Sequence, residues 1–477
     1  MQQSTESNNH LDSPCFNPGS FRDRTGRIFE HNGRIYRAIT EVGVSDWAFA
    51  NSLGFVQEGM RSGRIVRTES ELSQDILKSV GIAWSGVLLH ERVPVITYPY
   101  EWSFSMLRDA ALLQLELMQE ALAADAIFKD ATPFNIQFHG TKPVFIDTPS
   151  IVRLKHGGLW EGYRQFCQMF LYPLMLQAYR GVDFQPFLRG RLDGISPQQF
   201  NSLTSFRDMF RKGVLAHVFL HSKLRQTQEP SKVERTDESL RKSGFQKELI
   251  ENNVRGLRKL IQKLDWNPKS STWSDYDADS EPVRLDAAAK EAFVSEVIAS
   301  TRWKQTWDVG CNLGRYSRIA AKHSDLVVAL DSDHLTIDRL YKALQTEDVN
   351  NITPLVYDPA DPSPNLGWRC LERSRFAERG QPDLILFLAV IHHLVFTSNL
   401  LLHDVISWLA EQNSALVIEF VDRGDPQVKS LLANREDVFF DYTREEFDAA
   451  INRHFDIRQS LTLSSGTRTL LFVTPRS

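Results

Sequence analysis

From residue 286 onward the sequence alternates short apolar runs with helical patterns, and this alternation is its strongest constraint on the fold. The runs have the length and the apolar content of buried strands. They read KQTWDVG, DLVVALD, NITPLVYD, PDLILFLAV and SALVIEFV. Strands that alternate with helices pair in parallel, and the helices cover both faces of the sheet. The final stretch, FDIRQSLTLSSGTRTLLFVT, is typical of a β-hairpin. We therefore predict an α/β domain, Rossmann-like, whose sheet ends in a hairpin.

The length of 477 residues exceeds the usual size of a single hydrophobic core. Two domains and a connector are the natural division. We predict a disordered polar tail (1–22), an α+β N-terminal domain (23–225), a helical connector and linker (226–284) and the α/β domain (285–477).

Composition limits the partners and the compartment of the chain. The net charge of −5 does not favour nucleic-acid binding, and no apolar run approaches the roughly 18 residues that span a membrane. Four cysteines lie far apart, which suits a reducing compartment and favours neither a zinc module nor a disulfide framework. The polar first residues do not resemble a signal peptide. We expect a cytoplasmic protein without a metal ion, and composition leaves the oligomeric state open.

A glycine-containing turn follows the first strand of the α/β domain, in the sequence WDVGCNLG. Glycine is needed where φ is positive or where a Cβ atom would collide with a ligand, here at Gly310 and Gly314. Asp331 ends the next strand, 17 residues after Gly314. That position suits an acceptor for ribose hydroxyls in nucleotide-binding α/β folds. Asp358 ends the third strand, and the fourth runs into LAVIHHL.

This set of motifs resembles the class I S-adenosylmethionine (SAM)-dependent methyltransferases. The resemblance implies SAM as the cofactor, with Gly310, Asn312 and Gly314 along its methionine part, Asp331 at the ribose and Asp358 near the adenine. The full set of implied cofactor-binding residues is Asp308, Gly310, Cys311, Asn312, Gly314, Asp331, Asp358 and Leu388. Asn312 departs from the glycine that is usual in this family, but asparagine tolerates a left-handed backbone. A dehydrogenase, the alternative α/β reading, would carry G-x-G-x-x-G, whereas this turn reads GCNLGR.

Further motifs resemble a bacterial group that contains the nodulation protein NoeA. They include STWSDY, PLVYDPADPSPNLGW, VIEFVDRGDP, KDATPFNIQF and GYRQFCQMFLYPL, and they span almost the whole chain. The resemblance implies SAM-dependent methylation of a small molecule, in the making of a glycan or a secondary metabolite. The signature of N-methyltransferases, an acidic residue or Asn followed by Pro-Pro and an aromatic residue, is absent from the sequence. An oxygen or carbon acceptor is therefore favoured.

Three residues at the strand ends are candidates for catalysis. His392 and His393 follow the fourth strand, where a general base for a hydroxyl acceptor can stand. Glu419 lies near the end of the apolar run SALVIEFV, faces the same edge and is placed to contact the acceptor. Local packing of the histidines remains the alternative interpretation.

The N-terminal half contains a segment that resembles the catalytic segment of protein kinases. Asp130 precedes Asn135 by five residues, and Asp147 ends the hairpin that follows. A glycine-rich phosphate loop is absent, and Arg37 stands at best in place of the usual strand lysine. We predict a kinase-like module that binds or presents the acceptor without transferring phosphate. A bifunctional kinase–methyltransferase and a non-catalytic SAM-binding scaffold are the alternatives.

Overall fold

A computed structural model describes residues 15–71, 75–76, 84–155, 160–205, 208, 211, 213–214, 246–271, 281–433 and 436–476. We call residues 15–271 the N-terminal half and residues 281–476 the C-terminal half.

The N-terminal half combines short strands with helices. Its strands are β1 (Cys15–Phe16), β2 (Gly26–His31), β3 (Arg34–Ile39), β4 (Thr68–Glu71), β5 (Gly86–His90), β6 (Ala126–Phe128), β7 (Ile136–His139), β8 (Lys142–Phe145) and β9 (Ile151–Arg153). Its helices are α1 (Glu41–Ser52), α2 (Gly54–Ser62), α3 (Phe104–Ala123), α4 (Tyr163–Phe166), α5 (Tyr172–Arg180), α6 (Gln185–Gly190), α7 (Pro197–Leu203) and α8 (Gln246–Ile261).

The C-terminal half alternates helices and strands as predicted. Its strands are β10 (Trp303–Val309), β11 (Ser324–Asp331), β12 (Ile352–Val356), β13 (Leu384–Phe387), β14 (Ala415–Val421), β15 (Phe455–Thr462) and β16 (Arg468–Pro475). Its helices are α9 (Glu281–Ala299), α10 (Arg315–Ala321), α11 (His334–Thr346), α12 (Ile391–Phe396), α13 (Leu402–Glu411), α14 (Pro426–Leu432) and α15 (Arg444–His454).

Seven strands of the C-terminal half form one sheet in the order β12-β11-β10-β13-β14-β16-β15. The first five are parallel, and β16 pairs antiparallel with both β14 and β15. β13 and β14 are buried along their whole length, which explains why their sequences are almost wholly apolar. The predicted Rossmann-like sheet with a terminal hairpin is confirmed, and it is the class I methyltransferase fold.

The N-terminal half is built on a five-stranded antiparallel sheet in the order β1-β2-β3-β5-β4. The hairpin of β2 and β3 turns at Asn32 and Gly33, whose φ angles are 51° and 73°, as the Asn-Gly pair predicts. The strands that follow α3 in the chain form two two-stranded sheets, β7-β8 and β6-β9. The α+β prediction is confirmed, and the likeness to kinases stays a prediction.

The two halves share a continuous core. Phe138 of β7 packs edge-on against Tyr341 of α11, with ring centroids 6.2 Å apart, within a hydrophobic cluster that draws on both halves. Ser103, which caps α3, donates its hydroxyl to Asp338 at 2.9 Å. The Tyr341 hydroxyl donates to Asp109 at 2.9 Å. The C-terminal sheet therefore packs against the N-terminal half through α3 and α11.

Three predicted boundaries need correction. Residues 15–22 are not part of a disordered tail, because β1 pairs with β2 and a 3-10 turn follows at Pro18–Ser20; residues 1–14 lie outside the described residues. Residues 281–284 belong to α9 rather than to the linker. The connector helix is not simply exposed: α8 buries Val254 and Leu257 against the core, while residues 215–245 lie outside the described part of the chain.

Candidate active site

The carboxyl ends of the parallel strands meet where the strand order reverses. From β10 the chain proceeds outward to β11 and β12, whereas β13 lies on the other side of β10 and leads to β14. Val309 pairs with both Leu330 and Phe387, so the turn after β10 lies level with the ends of β11 and β13. Ligands of open α/β sheets bind in the crevice at such a switch point.

The turn after β10 has a left-handed backbone at the three predicted positions. The φ angles of Gly310, Asn312 and Gly314 are 75°, 49° and 76°. A Cβ atom at Gly310 would lie 2.4 Å from Cγ2 of Val390, and one at Gly314 would lie 2.6 Å from Cδ1 of Leu340. Both glycines are thus required by the backbone and by neighbouring protein atoms. The requirement for glycine at these two positions is therefore not explained by space for a ligand alone, as the sequence suggested.

Asp331 faces this turn from the end of β11. One carboxylate oxygen accepts the backbone N–H of Asn312 at 2.9 Å, and the other accepts that of Asp333 at 2.9 Å. Burial raises the pKa of Asp331, while these backbone amides act against the shift. Each oxygen of a carboxylate has about two acceptor sites, so both retain capacity for a hydroxyl donor.

The other predicted cofactor residues fall into two groups. Asp308, Cys311 and Leu388 are buried, at 2%, 4% and 6% exposure. Asp308 accepts the Ser317 hydroxyl at 2.5 Å, and burial, opposed by this bond, raises its pKa to about 6. It therefore ties the first turns of α10 to β10. Asp358 is exposed at the end of β12 and accepts a backbone N–H of its own loop.

His392 and His393 begin α12 with their ring centroids 4.1 Å apart. His392 is fully buried, and neither ring nitrogen has a hydrogen-bond partner among the residues that the structure describes. Burial, with the nearby Arg468, lowers the pKa of His393 to about 4. Burial, His393 and Arg468 lower the pKa of His392 well below its usual value. Both imidazoles are therefore neutral at pH 7.

Glu419 is fully buried in β14 between two cations. Lys290 of α9 forms an ion pair with one of its oxygens, and Arg468 of β16 lies 3.5 Å from the other. Arg468 also donates to Asp425 at 2.8 Å. Both oxygens of Glu419 are thus paired with cations, so Glu419 is not a free base. Its pairs connect β14 to α9 and β16.

The whole chain has a relative of similar length. It is 33% identical over 461 residues, 95% of this chain and 94% of the relative, to the nodulation protein NoeA of Rhizobium meliloti strain 1021. The chain belongs to the NoeA family. No protein-family model matches it.

Solved structures align with less than half of this NoeA-family chain. The N-methyltransferase NodS of Bradyrhizobium japonicum, in complex with S-adenosyl-L-homocysteine (SAH), is 13% identical, with a TM-score of 0.32, over 43% of this chain and 94% of NodS. Magnesium protoporphyrin IX methyltransferase of Synechocystis, with bound SAM, is 17% identical, with a TM-score of 0.31, over 43% and 88%. The fold assignment of the NoeA-family chain rests on its strand order.

The kinase-like residues of the NoeA-family chain do lie together. Asp147 accepts a hydrogen bond from Arg37 at 2.7 Å and from the Asn135 amide at 3.3 Å. Burial, with the nearby Asp147, raises the pKa of Asp130. No group of three or more His, Cys, Asp or Glu side chains in the described ranges is placed to hold a metal ion. No helix there is long and apolar enough to cross a membrane.

Sequence reasoning missed Lys290 and Arg468 in this NoeA-family site. The available signal was Glu419, a charge within the apolar run ALVIEFV, because a buried carboxylate requires a cationic partner. That signal implies a partner but does not identify it. Lys290 lies 129 residues before Glu419 and Arg468 lies 49 residues after it.

Proposed function

We propose that this NoeA-family chain is a SAM-dependent methyltransferase that modifies a small-molecule or glycan acceptor at oxygen or carbon. The observation that carries the proposal is the placement of Asp331 beside the left-handed turn of Gly310 and Gly314, at the switch point of a methyltransferase-type sheet. Its relative is named as a nodulation protein, and the aligned structures are named as methyltransferases.

The cofactor would lie across the ends of β10, β11 and β12. Asp331 would accept the ribose hydroxyls, the turn from Gly310 to Gly314 would follow the methionine part, and Asp358 would lie near the adenine. Asp308, Cys311 and Leu388 would support these contacts from the core beneath, since they are buried. When bound, SAM supplies a methyl group that is already activated on a sulfonium.

The protein then has to align the acceptor and remove its proton. Alignment of two reactants can contribute about 7–11 kcal/mol to a reaction barrier. His393 is only partly buried and neutral at pH 7, so we assign it the role of general base for a hydroxyl acceptor. A positioned base contributes about 10²–10⁴-fold. His392, whose ring centroid lies 4.1 Å from that of His393, would orient it, and Glu419 would order the neighbouring strand end through Lys290 and Arg468.

The acceptor proposal rests on the loop after β13. It reads LAVIHHL and lacks the acidic or Asn residue followed by Pro-Pro that is typical of N-methyltransferases. A base beside the transferred methyl group is needed by an alcohol or an acidic carbon, whose proton must leave. Oxygen or carbon is therefore the preferred acceptor atom.

The assignment is tested by binding of SAH to the full chain. We expect wild type to bind SAH in calorimetry, and Asp331→Ala to lose a charge-assisted pair of about 1.5–3 kcal/mol. Affinity should fall by about one to two orders of magnitude.

Asp325→Ala is the matched control, because Asp325 lies at the opposite end of the same strand and pairs with Arg302 on the surface. Its SAH affinity should equal that of wild type. An Asp331→Ala variant that binds within threefold of wild type would contradict the assignment of the ribose site.

A further inference from the structure

The segment that leaves β12 and returns to β13 is held by the N-terminal half. We call residues 358–379 the adenine-side segment, because it begins at Asp358. Its helical content is two short 3-10 turns, Trp368–Cys370 and Phe376–Glu378. A segment with so little regular structure depends on contacts with other parts of the chain for its position.

Three arginine–carboxylate pairs supply such contacts. Arg22 donates to Glu372 at 2.6 and 3.0 Å. Arg189 donates to Asp361 with two bonds of 2.8 Å. The third pair joins Glu101, just before α3, to Arg379. In each case one partner is in the N-terminal half and the other is in the adenine-side segment.

The pair of Glu101 and Arg379 is the most deeply buried of the three. The two side chains are 1% and 3% exposed, and both terminal nitrogens of the guanidinium donate to the carboxylate. Arg379 also donates to the backbone oxygens of Ile96 and Ser374 and lies over the ring of Tyr98, 4.3 Å from its centroid. Separating the two charges would leave each of them buried without its partner, which is costly. The pair therefore holds the end of the adenine-side segment against the N-terminal half.

Aromatic contacts connect Arg379 to the strand ends. Its guanidinium lies 5.2 Å from the centroid of Phe376, which in turn lies 4.9 Å from the ring of Trp307 and 4.7 Å from that of Tyr357. Tyr357 immediately precedes Asp358, and its backbone N–H donates to the carbonyl of Asp331 at 2.8 Å. One packed path thus runs from Glu101 to the carboxyl ends of β10, β11 and β12.

We propose that Glu101 and Arg379 are positioning residues for the cofactor, through which the N-terminal half sets the strand ends that receive the adenosine part of SAM. This inference rests on the proposed function. It gives the N-terminal half a role in cofactor binding, in addition to any contact with the acceptor.

The test measures binding of SAH and of 5′-methylthioadenosine, which lacks the methionine tail, to the folded full chain. Glu101→Gln keeps the shape of the side chain but leaves Arg379 without its charge partner. We expect both ligands to bind about tenfold more weakly, within the usual range for coupling between sites. Arg379→Lys, which keeps the charge but loses the paired geometry, should give a smaller loss.

Glu120→Gln is the control, since Glu120 forms a similar two-bonded pair with Arg64 inside the N-terminal half, away from this path. It should lower the unfolding temperature without changing either affinity. Arg189→Gln breaks the more exposed pair with Asp361 of the same segment and serves as the test variant if Glu101→Gln does not fold. We expect it to weaken the binding of both ligands about threefold.

Unchanged affinity in folded Glu101→Gln, or in Arg189→Gln where Glu101→Gln does not fold, overturns the positioning role. A loss of SAH affinity with unchanged affinity for 5′-methylthioadenosine overturns it too, because the effect would then lie at the methionine end. A wild-type chain that binds neither ligand overturns the proposed function itself.

Discussion

At the scale of single residues, the burial of His392 and His393 is the feature that bears most directly on the chemistry of the site. A buried imidazole without hydrogen-bond partners loses its contacts with water and is costly to retain in a core. His392 has this environment, beside the less buried His393. We infer that His392 is kept for function despite the free-energy cost of its burial, since strained and unsatisfied groups concentrate at functional sites.

The same burial predicts how stability depends on pH. The unfolded chain protonates both histidines as the pH falls through about 6.5, whereas the folded chain does not protonate His393 until about pH 4. Stability is therefore fully present above pH 6.5 and is lost as the pH falls towards 4. Between pH 7.5 and 5, the double variant His392→Leu/His393→Gln should lose less stability than wild type, by at least about 2 kcal/mol.

Urea denaturation at the two pH values measures this difference. His323→Gln, which changes a histidine at the opposite end of the sheet, should lose as much stability as wild type. An equal loss in the double variant and in wild type would refute the pKa assignment.

At the scale of elements, the unit formed by β10, its turn and α10 is constrained by its own backbone and by the loop after β13. Its backbone is left-handed at Gly310 and Gly314, and Val390 from the loop after β13 closes on Gly310. The turn is therefore shaped by the neighbouring strand end as well as by its own sequence. Loss of a glycine should affect stability as well as ligand binding.

Gly310→Val should abolish SAH binding and also destabilise the fold by about 1–3 kcal/mol, because the new side chain clashes and φ is unfavourable. Gly310→Ala should do the same to a smaller degree. Adding Val390→Ala to Gly310→Ala should recover part of the lost stability, since it removes the atom that the new Cβ meets. Thermal unfolding and calorimetry measure both effects, and no recovery in the double variant would show that the contact is not the cause.

At the scale of the whole molecule, the N-terminal half supports the C-terminal sheet and brings together the residues that the sequence likened to a kinase segment. Among these residues, Arg37 is 9% exposed and pairs with Asp147, whose other oxygen faces Asn135. A carboxylate that is already paired with a guanidinium is a poor ligand for Mg²⁺ and a triphosphate. We therefore expect a structural role for Asp147.

We predict that wild type does not turn over ATP and that Asp147→Asn loses about 1–3 kcal/mol of stability, because the buried Arg37 then keeps only the more distant carboxylate of Asp23, 3.6 Å away. Mg²⁺-dependent ATP binding, phosphate transfer to a cell extract and urea denaturation test both statements. Asp46→Asn, which breaks the more exposed pair with Lys129, is the control and should cost less stability. Phosphate transfer that disappears in Asp147→Asn would establish the bifunctional alternative.

Local sequence was enough to determine the elements of the C-terminal half and the edge at which its site forms. Apolar runs of strand length, the turn at Gly310 and Gly314, and an acidic residue at the end of β11 act over a few residues each. The hairpin at Asn32 and Gly33 is equally local. Such features are set by backbone sterics and by the periodicity of burial, which neighbouring residues encode by themselves.

Tertiary structure alone decided which distant charges meet. Glu419 receives Lys290 and Arg468, Glu101 receives Arg379 across 278 residues, and β1 pairs with β2 where a polar composition predicted a tail. No local preference distinguishes these arginines and lysines from those that remain on the surface. Glu101 meets Arg379 where the two halves pack together, whereas Glu419 meets Lys290 and Arg468 where α9 and β16 pack against β14 within the C-terminal half. Such packing removes opposite charges from water together and makes each require the other.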